Sequence, residues 1–208
     1  MKDKYVITIG RQFGSGGHDI GKILAEELNI PFFDKELLLE AAKEIGVSPK
    51  LFSQADEKLP SFYAGNFSMG LGFYLHPFST TSASTYYDNV QKAICDTIRT
   101  LAQRGPCVIV GRCADYLLRD NPDVINIFIS ASEQACANRI VARTEGLTLD
   151  DAKALAKKKN KLRAEYYNFF TDKEWGHSSS YDLCIDSSKL PEKKVIQLIV
   201  SYMEQRLA

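Results

Sequence analysis

Short, nearly continuous apolar runs alternate along this chain with stretches of helical spacing. The runs are Tyr5–Ile9 (YVITI), Pro31–Phe33, Cys107–Val110 (CVIV), Val124–Ile129 (VINIFI) and Leu183–Ile185. A strand that is apolar on both faces has neither face free for water, so these runs predict a parallel sheet with helices on both faces, an α/β fold. Between them, Ile20, Ile23, Leu24 and Leu28 lie on one helical face, as do Leu38, Leu39 and Ala42 over 36–45, where Gly46 ends the pattern. Ile94, Ile98 and Leu101 repeat the spacing. Ser132 predicts an N-cap for the helix that carries Arg139 and Arg143. Thr148-Leu-Asp-Asp151 has the form of a capping box with Asp in the usual Glu position, and it opens a long basic helix toward Phe170. Val195–Leu207 reads as the last helix.

A chain of 208 residues suffices for one core, with small inserted subdomains at most. Its 26 basic residues balance 26 acidic ones, so no global field draws it to nucleic acid or to an anionic membrane, and neither partner is expected. The five cysteines are odd in number and lack metal-ligand or CxxC spacing; Cys107, Cys136 and Cys184 read as buried thiols. Reduced thiols, no signal peptide and no apolar stretch near membrane-spanning length predict a soluble, cytoplasmic protein.

Residues 56–88 follow neither period. Eight aromatics between Phe62 and Tyr87 stand there among glycines, serines and threonines. Such a stretch stacks a nucleobase, fills a satellite core or forms a subunit interface; the number of rings exceeds what one base needs, which suggests a homodimer through 62–87.

The densest chemical signal lies between the first strand and the first helix. Gly10-Arg-Gln-Phe-Gly14-Ser15-Gly16-Gly17-His18-Asp19 places four glycines in eight residues directly after a buried strand. Glycines let consecutive backbone N–H groups form an anion-binding nest, and the helix N-terminus adds partial positive charge. Against the phosphate-loop pattern GxxxxGK[ST], Gly16 takes the second glycine, Gly17 the lysine and His18 the hydroxyl. The backbone cradle is kept while both side chains are replaced. A dinucleotide fingerprint is the competing reading: Gly14-x-Gly16 lacks its third glycine, where Asp19 stands, although Asp34 lies where a ribose-binding acid would sit. His18 either meets a phosphate or caps the helix. Asp19 either holds magnesium through water or complements the helix dipole. Lys157, Lys158 and Lys159 form either a solvated face or a phosphate contact, and Trp175-Gly-His177 reads as a packing turn.

Three segments together resemble the cytidylate kinase-like branch of the nucleoside monophosphate kinases. VITIGRQFGSGGHDIGKILAEEL is similar to that family's opening strand, loop and helix; CVIVGRCADYLL to its third-strand segment; and VINIFISASEQACANRIVAR to its fourth strand and arginine-bearing helix. The resemblance implies a five-stranded parallel core formed by 1–34, 89–138 and 181–208, a substrate-binding insert over 35–88 and a lid within 139–180. It also implies ATP and Mg2+ as co-substrates.

On that resemblance, Gly14, Ser15, Gly16, Gly17, His18 and Asp19 would hold nucleotide phosphates, with Asp19 the metal-side residue. Arg112 and Asp34 would meet the acceptor. Arg139 and Arg143, four apart and therefore on one helix face, would clamp phosphate oxygens together with Arg163 of Asn160-Lys-Leu-Arg163. The departures are Gly17 for the lysine, Cys113 for the acid after Arg112, and Asn160 for the lid acid. Arg11, Lys157 or Lys161 would have to supply the missing charge. The implied activity is ATP-dependent phosphoryl transfer to a nucleoside monophosphate or related small acceptor. The alternatives are a nucleotide-binding regulatory protein that has lost catalysis with its lysine, and a dinucleotide-dependent oxidoreductase.

Overall fold

The computed structural model describes residues 4–34, 37–38 and 82–208, with side chains in the last stretch from Lys92 onward. The expected helix over 36–45 and the aromatic segment therefore lie largely outside the described residues. The chain divides into two compact units, one of Met1–Lys35 with Arg99–Ala208 and one of Glu36–Ile98. The candidate site falls in the first.

That unit holds β1 (Val6–Arg11), α1 (Gly17–Leu28), β2 (Phe32–Phe33), β3 (Cys107–Val110) and β4 (Val124–Ser130). β5 (Leu183–Asp186) completes a sheet of order β2-β3-β1-β4-β5 in which every pairing is parallel. All five apolar runs thus become strands. The other described helices are α2 (Ser82–Arg104), the single turn α3 (Ala114–Leu117), α4 (Glu133–Arg143), α5 (Leu149–Phe170) and α6 (Glu192–Arg206).

Ile7, Ile9, Val108, Val110, Ile125, Ile127 and Ile129 pack with Ile20 and Leu24 of α1 and Ile196, Ile199 and Met203 of α6. The alternate residues serve the other face. Thr8 donates to Asn126 Oδ1 (2.7 Å) across β1 and β4, and Phe128 lies against Trp175 and Tyr181. Both faces are occupied, which is why these strands carry no apolar–polar alternation. Cys107 and Cys136 are buried as expected, whereas Cys184 is exposed. It lies on β5, an edge strand, where outward positions meet solvent.

The predicted caps form. Ser132 accepts the Ala135 N–H (3.3 Å) and Thr148 accepts the Asp151 N–H (3.1 Å). The Asp151 carboxylate accepts the Thr148 hydroxyl (2.5 Å). Helix α5 starts and stops where the sequence indicates. Among the described residues no helix is long and apolar enough to cross a membrane.

The strand order reverses at β1, so the carboxyl ends of β1, β3 and β4 open onto loops at one edge of the sheet, the usual ligand position in open α/β sheets.

Candidate active site

The loop after β1 is held from three directions. Gln12 joins it to β4, its N–H donating to Ile129 O (3.0 Å) and its side-chain oxygen accepting from the Ala131 N–H (3.0 Å). Helix α5 holds it through Asn160, whose Oδ1 accepts the Phe13 N–H (2.7 Å), and through Arg163, whose Nη1 donates to Arg11 O (2.9 Å). Helix α4 holds it through Arg139, which donates to Gly14 O (3.3 Å), to Ser187 Oγ (3.2 Å) and to Ser187 O (3.1 Å). Ser187 in turn donates to Ser15 O (2.6 Å). Gly14 and Gly16 lie at φ 81° and 79°, where only glycine is relaxed, and a Cβ on Gly14 would stand 2.8 Å from Cys136 O.

Not every amide of this loop is free to meet an anion. Phe13 donates to Asn160, Ser15 to Gln12 O (3.3 Å) and Gly17 to Ser15 Oγ (3.3 Å). Among the described residues, no acceptor takes the N–H groups of Gly14, Gly16, His18 or Asp19. The expected cradle over 13–19 thus narrows to those four amides and the N-terminus of α1.

The candidate arginines fall into two clusters. In the first, Arg11 is crowded by Arg163 and Arg112. Burial, and after it the charges of these two neighbours, lower the Arg11 guanidinium to about 9, against the opposing pull of Asp34. Burial also lowers Arg163. A guanidinium keeps its proton at neutral pH, so the crowding amounts to unbalanced positive charge that a bound anion would relieve.

Glycines give Arg11 its path. A Cβ on Gly17 would lie 2.6 Å from Arg11 Cβ and 3.1 Å from Ile129 Cβ, and a Cβ on Gly111 would collide with Arg11 Nη1. The stem of Arg11 thus fills the space that a side chain at position 17 would need. Asp34 completes this cluster and meets His18, with Nε2 3.0 Å from Oδ2; the His18 ring stands edge-on to Phe32 at 5.4 Å. His18 therefore engages a carboxylate and does not cap the helix.

The second cluster lines a cleft of about 380 Å³ bordered by Ser15, Gly16, Asp19, Arg139, Arg143 and Leu190. Arg143 pairs with Asp19. Burial acts to raise the Asp19 carboxyl, but the bond and charge of Arg143, followed by those of His18, hold it below its ordinary range. Helical spacing puts Arg139 and Arg143 on one face, and both border this cleft; the family resemblance groups Arg163 with them, whereas the fold sets it beside Arg11.

Four residues escape a motif-based reading. Gln12 and Ser187 brace the loop; Ser187 has one signal, its position just past the carboxyl end of a strand. Asp115 is buried, at 6% exposure, and accepts from the Tyr167 hydroxyl (2.6 Å). Burial pushes both groups up, and the Asp115 bond raises Tyr167 further.

The family model described as the cytidylate kinase-like family matches residues 6–189. The chain belongs to that family. It is 26% identical over 200 residues to a cytidylate kinase of Pyrococcus horikoshii, covering 95% of this chain and 88% of that protein. A solved structure of a protein from Eubacterium ventriosum matches with a TM-score of 0.72 and 31% identity, covering 97% of this chain and 99% of that one. A shikimate kinase from Bacteroides thetaiotaomicron shares the fold, with a TM-score of 0.54 at 13% identity and coverage of 96% and 98%. Family and fold make this protein a nucleotide-binding kinase of the P-loop type.

Proposed function

We propose that this kinase transfers the γ-phosphoryl group of ATP to a nucleoside monophosphate or a related small phosphorylated acceptor, with Arg11 in the role of the absent loop lysine. The observation that carries this reading is the mutual exclusion of Arg11 and any side chain at position 17. The stem of Arg11 passes Gly17 at the end of β1 and carries its guanidinium to Gly111, in the turn after β3. In this reading that charge serves where the lysine of the first turn of α1 is absent.

Phosphoryl transfer asks for positioning and for positive charge around the migrating group, with little covalent work by the protein. The amides of Gly14, Gly16, His18 and Asp19 and the α1 dipole would seat the donor phosphates, while the cleft beside Arg139, Arg143 and Leu190 would take the rest of the nucleotide. Arg112 and Asp34 would meet the acceptor. Arg11 and Arg163 would stand over the phosphoryl group as charge spreads onto its oxygens.

Magnesium would arrive with ATP, held chiefly by phosphate oxygens and water. Among the described residues no three His, Cys, Asp or Glu side chains gather into a metal cage, and Asp19 is engaged by Arg143. In this scheme residues 1–34, 89–138 and 181–208 are the core, and α5 within 139–180 carries the lid groups.

A steady-state assay with magnesium and ATP against a panel of nucleoside monophosphates tests the reading. Turnover with at least one of them is expected. Saturable ATP binding without transfer to any acceptor would instead make the protein a nucleotide-binding regulator.

A further inference from the structure

Gly111, Arg112 and Cys113 follow one another at φ 80°, 57° and 53°. Left-handed backbone is disfavoured for residues that carry a Cβ, and two such residues in succession persist only where the surroundings over-determine them. Part of that constraint is local. The Ala114 N–H donates to Gly111 O (3.1 Å), and those of Tyr116 and Leu117 donate to Cys113 O (3.1 and 2.9 Å).

A second tie, to the residue two positions beyond Cys113, comes from α5. Tyr167, 5% exposed, donates to the buried Asp115 carboxylate two residues beyond Cys113. Its ring is fixed in turn by Tyr181, stacked at 6.2 Å, and Tyr181 leans on Phe128 at 4.9 Å. Both rings fit because Gly10 has no Cβ, which would lie 2.9 Å from Phe128 and 3.1 Å from Tyr181.

Tyr167 stands four residues after Arg163 and seven after Asn160, so all three project from one side of the helix. One helix face thus grips the β1 loop at the Phe13 N–H and Arg11 O, and grips the turn after β3 at Asp115. An apolar pair would fill the same space with less desolvation, whereas a carboxylate–hydroxyl pair tolerates only one register.

We infer that the Asp115–Tyr167 pair is a latch that sets Arg112 and Arg163 in one frame, fixing helix α5 against the turn after β3 so that both guanidiniums reach the phosphate groups together. The two residues are positioning residues, and their effect on turnover rests on the kinase reading above.

Tyr167→Phe removes one hydroxyl and keeps the ring. It should raise the acceptor KM and lower kcat, each by about tenfold as expected for misplaced groups, with the ATP Kd unchanged within about twofold. The double variant Asp115→Leu, Tyr167→Phe removes both polar partners, and Leu copies the branched outline of Asp. Its thermal midpoint should return toward that of the wild type, because no buried carboxylate is left unpaired, while kcat/KM stays low. A purely structural pair would recover kinetics together with stability, which would overturn the latch. Hydrogen exchange on the full chain decides the same point without turnover. Tyr167→Phe should speed exchange in 111–117 and 160–168 together, and a change confined to α5 would also overturn the latch. If the wild-type protein transfers phosphate to nothing, the kinase reading fails while the exchange result still stands or falls by itself.

Discussion

Arg11 and Gly17 form a pair whose identities constrain each other. Because a Cβ at position 17 would stand 2.6 Å from Arg11 Cβ, Gly17→Ala forces either the arginine or the first turn of α1 to move. Overpacking of this kind costs about 1–3 kcal/mol, so Gly17→Ala should lower the thermal midpoint and weaken ATP binding together. A variant of unchanged stability would show that the loop has slack. The sequence makes the missing lysine plain and names Arg11 among its possible substitutes. The path of Arg11 over Gly17 and Gly111 was not legible, because it depends on β1 and β3 being neighbours.

Asp19 gives a test by pH. Its carboxyl lies below the ordinary range in the folded protein, so the Arg143 pair stabilises the fold fully above the unfolded Asp value, near 3.8, and the contribution fades as pH falls through the folded value. Wild-type and Arg143→Ala thermal midpoints should differ at neutral pH and converge in acid. The gap should be small, since the pair is partly exposed and screened. An equal gap at pH 7 and pH 2 would exclude this origin.

At the level of elements, helix α5 joins otherwise separate loops. Its limits were readable, from Thr148 at the cap to Phe170 at the end, because capping is local chemistry. Its docking was not, since Asn160 lies 147 residues from the Phe13 amide it accepts. Asn160, where the family resemblance implies an acid, is a neutral amide that accepts this hydrogen bond. Asn160→Ala should cost roughly 1 kcal/mol, measured by chemical denaturation, while Asn160→Asp, which keeps an acceptor, should cost less. Equal losses would mean that the bond contributes nothing. The same distinction between local and distant explains the arginines. Helical spacing correctly put Arg139 and Arg143 on one face, but which cluster each arginine joins depends on how α4 and α5 pack across Ala137, Ile140, Ala152 and Ala156.

For the molecule as a whole, the apolar runs were sufficient to predict the parallel sheet, because a strand buried on both faces has few other places to go. The sheet then puts the β1 loop, the turn after β3 and the Ser187 segment after β5 at one edge, and the two arginine clusters follow from that geometry. The central claim is that Arg11 has taken over from the loop lysine, and single-turnover transfer from radiolabelled ATP by wild-type protein and by Arg11→Ala tests it directly. Loss of one preorganised charge at the migrating phosphoryl should slow the transfer step about 10²–10³-fold while ATP still binds. An Arg11→Ala protein that transfers phosphate at the wild-type rate would contradict the account.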